Sequence, residues 1–279
     1  MRPPYTLPNR QGTLLRERYA RGPLQTSLPN LQDYIMTMLP ESEHVREVFE
    51  HPDEGFLALH NAKSAKLFID SSTISPFYSL SLAEKVVSAT HLRAHLLDAP
   101  VSGGTKGAEA GTLTFMLGSP KELVPLVQSI LEKMGSRLMW CGPPSSGLSA
   151  KLANNYILAC MNVATAEAMN MGLRLGLDPH ILADVINAST GASWCSKVNN
   201  PVPGVSPGAP SERDYNGGFG VRLMKKDLGL ALDAAKSVDA KLVLGDEIAK
   251  VYATVANEEK FAHKDFSVVY KWLGGDEED

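Results

Sequence analysis

GLSAKLANNYILACMNVATAEAMNMGLRLG, residues 147–176, contains no proline and is rich in Ala, Leu and Met. Those residues favour helix, and one unbroken helix of this length would run roughly 40 Å. From Leu148 to Leu173 the only charged side chains are Lys151 and Glu167. A helix apolar almost all round is expected in a protein core. It is not a bilayer span, because Asn154, Asn155, Asn162 and Asn170 interrupt any apolar run of the required length.

Lys151 is the odd residue of this stretch. A buried ammonium is costly unless paired, and its pKa falls on burial. Asn155 lies one turn on, on the same helical face. An amine and a carboxamide converging in this way can hold a hydroxyl or carbonyl oxygen, with the lysine as general acid or base. A lysine near a helix start that snorkels to solvent fits the same residues.

Working outward toward the N-terminus, short apolar runs alternate with helix-like stretches. Asp33–Leu39, Lys66–Asp70, His95–Asp98, Thr112–Leu117 and Arg137–Trp140 read as strands. Ser79–Thr90 and Lys121–Met134 read as helices between them. Strands alternating with helices predict an α/β layer with a largely parallel sheet over residues 31–145. Residues 1–30, rich in Pro and Arg, read as an irregular leader. Its arginines against a lone Glu17 faintly resemble a transit peptide. Beyond residue 145 no strand pattern remains. Pro179–Ser189, Val221–Ala235, Lys241–Ala256 and Asp265–Leu273 predict an all-helical domain over 146–279, joined to the sheet by the long helix. The loop Ser196–Gly218 is long enough to be functional or mobile.

The bulk properties narrow the classes of function. Hydrophobic residues make up 44% and charged residues 21% of the 279, a globular composition. The net charge of −4 argues against a nucleic-acid footprint, and no run is long and apolar enough for a membrane span. The three cysteines, Cys141, Cys160 and Cys195, have neither disulfide nor metal spacing. His91 and His95 have the spacing of a helical zinc pair, but Asp98-Ala99-Pro100 follows at once and the context is turn into strand; no metal is expected. Cys141 reads as a buried strand-end thiol, and Trp194 as either a pocket wall or a core residue.

Five motifs occur in order: Met38-Leu39-Pro40, Asp70-Ser71-Ser72-Thr73-Ile74, Asp98-Ala99-Pro100-Val101-Ser102-Gly103-Gly104, Gly147-x-x-x-Lys151-x-x-x-Asn155 and Lys226-Asp227-Leu228-Gly229-Leu230-Ala231. Together they resemble the β-hydroxyacid dehydrogenases over roughly residues 33–273. The loop Asn200–Val205, followed by Gly217-Gly218-Phe219-Gly220, resembles the branch that oxidises 3-hydroxyisobutyrate in valine breakdown. The resemblance implies a Rossmann-like NAD-binding sheet domain, a homo-oligomer (dimer or tetramer) in the mitochondrial matrix, or in the cytoplasm where a transit peptide is absent, and a small 3-hydroxy acid as substrate. It implies Lys151 as catalytic general acid/base with Asn155 beside it, and Ser102, Gly103 and Gly104 around the substrate carboxylate. It implies Leu39, Pro40, Thr73 and Lys226 at the nicotinamide end of NAD. Read alone, Ser102-Gly103-Gly104 is a turn after a strand and Lys226 an exposed helix charge.

Two departures stand out. The family begins with a strand, a G-x-G-x-x-G turn and a helix that receive the pyrophosphate, and no such turn occurs here. The chain therefore reads as entering the fold at the family's fourth strand. That motivates an alternative: a non-catalytic remnant, or the product of an incomplete gene model, that holds NAD weakly or not at all. The second departure is His44, where the family's dehydrogenases usually carry an asparagine.

Overall fold

The computed structural model describes residues 34–59, 66–90 and 94–275. The leader, and with it the transit-peptide reading, lies outside them, as does His91. Three strands, β1 (Tyr34–Thr37), β2 (Lys66–Asp70) and β3 (Ala94–Asp98), lie side by side in parallel. α1 (Ser42–Glu50) and the single turn α2 (Phe56–Leu59) follow β1, and α3 (Pro76–Ala89) joins β2 to β3. α3 starts where Ser75 Oγ accepts from Tyr78 N and Pro76 supplies a pre-set φ at the first position.

The layer is largely parallel, as expected, with one reversal in the second half of the sheet. β3 breaks at Ala99-Pro100 and resumes as β4 (Val101–Ser102). Both pieces run antiparallel to β5 (Leu113–Gly118), with Asp98 opposite Gly118 and Val101 opposite Phe115. The connection 103–112, which holds α4 (Gly104–Glu109), is shorter than the dozen or so residues a parallel crossover needs. The strand direction therefore reverses. β6 (Gly135–Gly142) follows α5 (Val124–Leu131) and pairs parallel to β5 on its other edge.

Alternation along the strands sends side chains to two cores. Phe68 and Leu96 pack with Val45, Phe49, Leu82 and Val86 on one face. Leu67, Ile69 and Leu97 pack with Phe115, Val127 and Leu131 on the other. α6 (Ser146–Arg174) then leaves the sheet: Leu148 belongs to the first of these cores, whereas Ala159, Val163, Ala166 and Met169 belong to a third, helical one. That core is completed by α7 (Pro179–Ala188), α9 (Val221–Ser237), α10 (Gly245–Asn257) and α11 (Val269–Trp272), while the short α8 (Trp194–Lys197) packs on α6 and α7.

Burial of α6 all round does not hold. One stripe faces inward, and the opposite side leaves Ile157 52% and Met171 62% exposed. The long loop after α8 is tied down rather than loose. Asp265 accepts from Asn199 Nδ2 (3.2 Å) and Phe219 N (2.7 Å), and Tyr215 Oη donates to Pro201 O (2.7 Å).

Candidate active site

β1, β2 and β3 end on one edge of the sheet, and the polar residues there form a network. Asp70 is buried and accepts from Thr37 Oγ1 (2.9 Å), Ser72 N (3.1 Å) and Ser72 Oγ (2.6 Å). Burial raises its pKa, opposed by the bonds from Ser72 and Thr37. Ser72 Oγ in turn accepts from Leu39 N (2.8 Å). The backbones of Leu39-Pro40 and Ser72-Thr73 are thus fixed side by side.

Lys226, from α9, reaches this edge. Its Nζ donates to Pro40 O (2.9 Å) and Thr73 O (2.6 Å), so the structure brings Leu39, Pro40, Thr73 and Lys226 together. Next to it on α9, Asp227 is buried and accepts from Asn155 Nδ2 at 2.7 Å. Lys226 Nζ also lies 3.1 Å from Asp227 Oδ1, within ion-pair reach. It directs its hydrogen bonds at the two carbonyls, so Oδ1 accepts none.

Asn155 and Lys151 share one face of α6, and Lys151 is 8% exposed. Among the described residues no hydrogen bond holds its Nζ. Burial lowers its pKa, Asp227 raises it and Lys226 lowers it. A buried amine with a lowered pKa and no hydrogen bond among the described residues is poised to exchange a proton with a bound hydroxyl. Lys151, Asn155, Asp227 and Lys226 therefore form one cluster reaching Pro40 and Thr73.

Ser102-Gly103-Gly104 stands on a different element, between β4 and α4. Gly103 has φ 136 and Gly104 φ 60, and no atom lies within 4 Å of where a Gly104 Cβ would be. The turn thus exposes backbone that a ligand can approach closely. No hydrogen bond joins it to Lys151 or Asn155; α4 and α6 both pack on β5.

The donor set, two strand ends, a lysine from α9 and a buried amine behind them, is of a kind that fits the nicotinamide end of a dinucleotide. Beside Pro40 a cavity of about 630 Å³ extends along α9, lined by Glu41, Arg222, Lys225, Lys226, Gly229 and Asp233. Its cations suit an anionic ligand, although Glu41 and Asp233 oppose them. Among the described residues no turn of G-x-G-x-x-G spacing joins a strand to a helix to meet a pyrophosphate.

Other candidates fall away. His95 lies in β3, not on a helix, and is largely buried, with its pKa lowered as a result. Cys141 is half-buried, and burial and the nearby Asp98 raise the pKa of its thiol, which works against thiolate formation. Trp194 is half exposed at the start of α8, and His44 is exposed on the first turn of α1. Sequence reasoning missed Asp70, Ser72, Asp98 and Asp227 as site-building residues. The available signal was position: Asp70 and Asp98 each close a strand, and Asp227 adjoins Lys226.

Residues 145–273 match the family described as NAD-binding of NADP-dependent 3-hydroxyisobutyrate dehydrogenase. Residues 17–142 match the NAD binding domain of 6-phosphogluconate dehydrogenase. Mouse mitochondrial 3-hydroxyisobutyrate dehydrogenase is 42% identical over 261 residues, 94% of this chain and 75% of that protein. The chain belongs to the 3-hydroxyisobutyrate dehydrogenase family. The human mitochondrial 3-hydroxyisobutyrate dehydrogenase is 43% identical over 245 residues, 88% of this chain and 71% of that protein. The Mycobacterium tuberculosis 3-hydroxyisobutyrate dehydrogenase, solved with L-serine, superposes with a TM-score of 0.77 at 40% identity, covering 86% of this chain and 79% of that one. As a member of this family the chain carries NAD-binding domains, which weighs against the reading of it as a remnant without a nucleotide site.

Proposed function

We propose that this chain oxidises 3-hydroxyisobutyrate to methylmalonate semialdehyde with NAD, as in valine breakdown, with Lys151 as the proton acceptor. The observation that carries the reading is the buried Lys151 amine, without a hydrogen bond among the described residues, beside an Asn155 clamped by Asp227. Ser102 Oγ and the N–H groups of Gly103 and Gly104 receive the substrate carboxylate. Asn155, with one amide N–H bound to Asp227, offers the other to the substrate hydroxyl. Neutral Lys151 takes the hydroxyl proton as the carbonyl forms. Bound NAD supplies the hydride acceptor. Leu39, Pro40 and Thr73 line the nicotinamide end, held by Lys226 from the opposite domain. L-serine, found with the tuberculosis relative, is itself a small 3-hydroxy acid, in keeping with a carboxylate-binding turn.

In this reading residues 31–145 are the nucleotide unit and 146–279 the helical one. The exposed apolar side chains Ile157, Met161, Met171, Ile181 and Val185 on α6 and α7 support a homo-oligomer built on the helical unit. The mitochondrial relatives support a mitochondrial location. Among the described residues no helix is long and apolar enough to cross a membrane.

The test is NADH formation by the purified chain with 3-hydroxyisobutyrate, against L-serine and a 2-hydroxy acid as comparators. Turnover of 3-hydroxyisobutyrate in clear preference to both supports the reading; no turnover of any of them at saturating NAD refutes it. Light scattering after size exclusion decides between monomer and oligomer.

A further inference from the structure

The helix that carries Lys151 has no cap of its own. Ser145, at its N-cap, sits at φ 76 in the left-handed region, and its side chain caps nothing. The free N–H groups at a helix start need partners. Here a carboxylate from the sheet provides them: Asp98, at the end of β3, accepts from Ser145 N through Oδ1 and from Leu148 N through Oδ2 (2.8 Å). Asp98 is 1% exposed, in a slot walled by bare backbone. A Cβ on Gly118 would stand 2.2 Å from Oδ1, and one on Gly147 would stand 2.9 Å from Oδ2. From this one residue the chain runs in one direction through Ala99-Pro100-Val101 to the turn Ser102–Gly104. In the other direction its hydrogen bonds hold the first turn of α6, and Lys151 stands one turn beyond Leu148.

We propose that Asp98 is a positioning residue of the dehydrogenase: its carboxylate sets the height and rotation of α6 against the sheet, and so aims Lys151 and Asn155 at the Ser102–Gly104 turn. This deepens the dehydrogenase reading and rests on it. The titratable groups facing Asp98 are Asp70 on β2 and Cys141 on β6; β5 and the first turn of α6 bring none. Burial pushes the Asp98 carboxyl up to about 7, the bonds from Leu148 and Ser145 N–H oppose this, and Asp70 adds to it. When Asp98 is protonated, one oxygen carries a hydrogen and no longer accepts from α6. Turnover therefore acquires an acidic limb that belongs to the anchor and not to Lys151.

Three measurements test this. In wild type, the amide resonances of Ser145 and Leu148 should titrate together near neutrality, and the ¹³C signal of reductively methylated Lys151 should follow the same transition. In Asp98→Asn, folded by circular dichroism, kcat should fall about tenfold to a hundredfold, as for a misaimed catalytic group. KM for the hydroxy acid should change less, and the acidic limb should vanish. Flat amides, a Lys151 signal indifferent to the transition, or a folded Asp98→Asn that keeps wild-type kcat and its limb would each overturn the proposal. If Asp98→Asn does not fold, the wild-type resonances decide. A wild type without dehydrogenase activity would refute the proposed reaction, while the Lys151 signal still reports on the anchor.

Discussion

Replacing Lys151 with Met should make the protein more stable and nearly inactive at once. Met keeps the length and the apolar stem of the side chain and removes only the amine. That amine is buried, makes no hydrogen bond among the described residues, and has its pKa lowered by burial. An uncompensated buried polar group costs about 1–3 kcal/mol; the Asp227 charge offsets part of that for Lys151, so removing the amine returns at most that amount. At about 2–3 °C per kcal/mol for a chain of this size, Tm should rise by up to roughly 9 °C. Asp227 keeps Lys226 and Asn155 as partners, so it is not orphaned by the change.

The sign also depends on pH. The folded pKa of Lys151 lies below its ordinary 10.5, so wild type recovers stability as pH rises through the folded value toward 10.5. The advantage of Lys151→Met should shrink across that window. Turnover should fall by about 10²–10⁴-fold, the usual worth of a positioned acid or base, with NAD affinity nearly unchanged. Calorimetric melting and NADH formation on one preparation give both numbers. A variant that keeps more than about a tenth of wild-type turnover would remove Lys151 from proton transfer. One that melts lower than wild type would make Lys151 a structural partner of Asp227.

Gly103→Val should raise KM for the hydroxy acid more than it weakens NAD binding, because a β-branched residue is strained at φ 136 and its Cβ would stand 3.1 Å from Leu113 Cδ2; an unchanged KM would place the carboxylate elsewhere. Lys226→Ala removes charge-assisted bonds to Pro40 O and Thr73 O, and titration calorimetry should show NAD affinity down about tenfold or more relative to wild type. Asn162→Ala removes the bonds to Tyr252 Oη (2.9 Å) and Phe266 O (3.1 Å) inside the helical core and should cost about 2–4 kcal/mol in urea unfolding, with kcat preserved. The folded pKa of Asp98, about 7, lies above its ordinary 3.8; its contribution to stability is whole below about 4 and is lost as pH rises to about 7. Ligand-free Tm should fall over that window more steeply in wild type than in Asp98→Asn.

Periodicity made most of the elements legible. The run Lys66–Asp70 is β2 as read, and the proline-free stretch 147–176 is α6 to within two residues at either end. What escaped were elements whose cause is tertiary. β4 is two residues long and exists because Phe115 and Thr114 pair with it. α4 fills a reversal that local propensity does not announce, and α1 has no side-chain cap to mark its start. The site divides in the same way. Lys151 and Asn155 were visible because a charge and an amide recur one turn apart on an apolar helix. Asp98 was visible only as a motif letter, since its role is to cap a helix some fifty residues downstream. Asp227 was hidden for the same reason, its partner Asn155 being seventy-two residues away.

Because α6 begins in the sheet core at Leu148 and ends in the helical core at Met169, it behaves as a shaft keyed at both ends. One residue inserted between Leu152 and Ala159 would turn everything downstream by about 100° and push it about 1.5 Å along the axis. Ala159, Val163, Ala166 and Met169 would then rotate out of their core while Leu148 stayed in its own. Nothing short of a π-bulge could absorb the extra residue locally. This helix has a fixed phase, and the distance from the strand-end edge of the sheet to the helical core is counted out along it in whole residues.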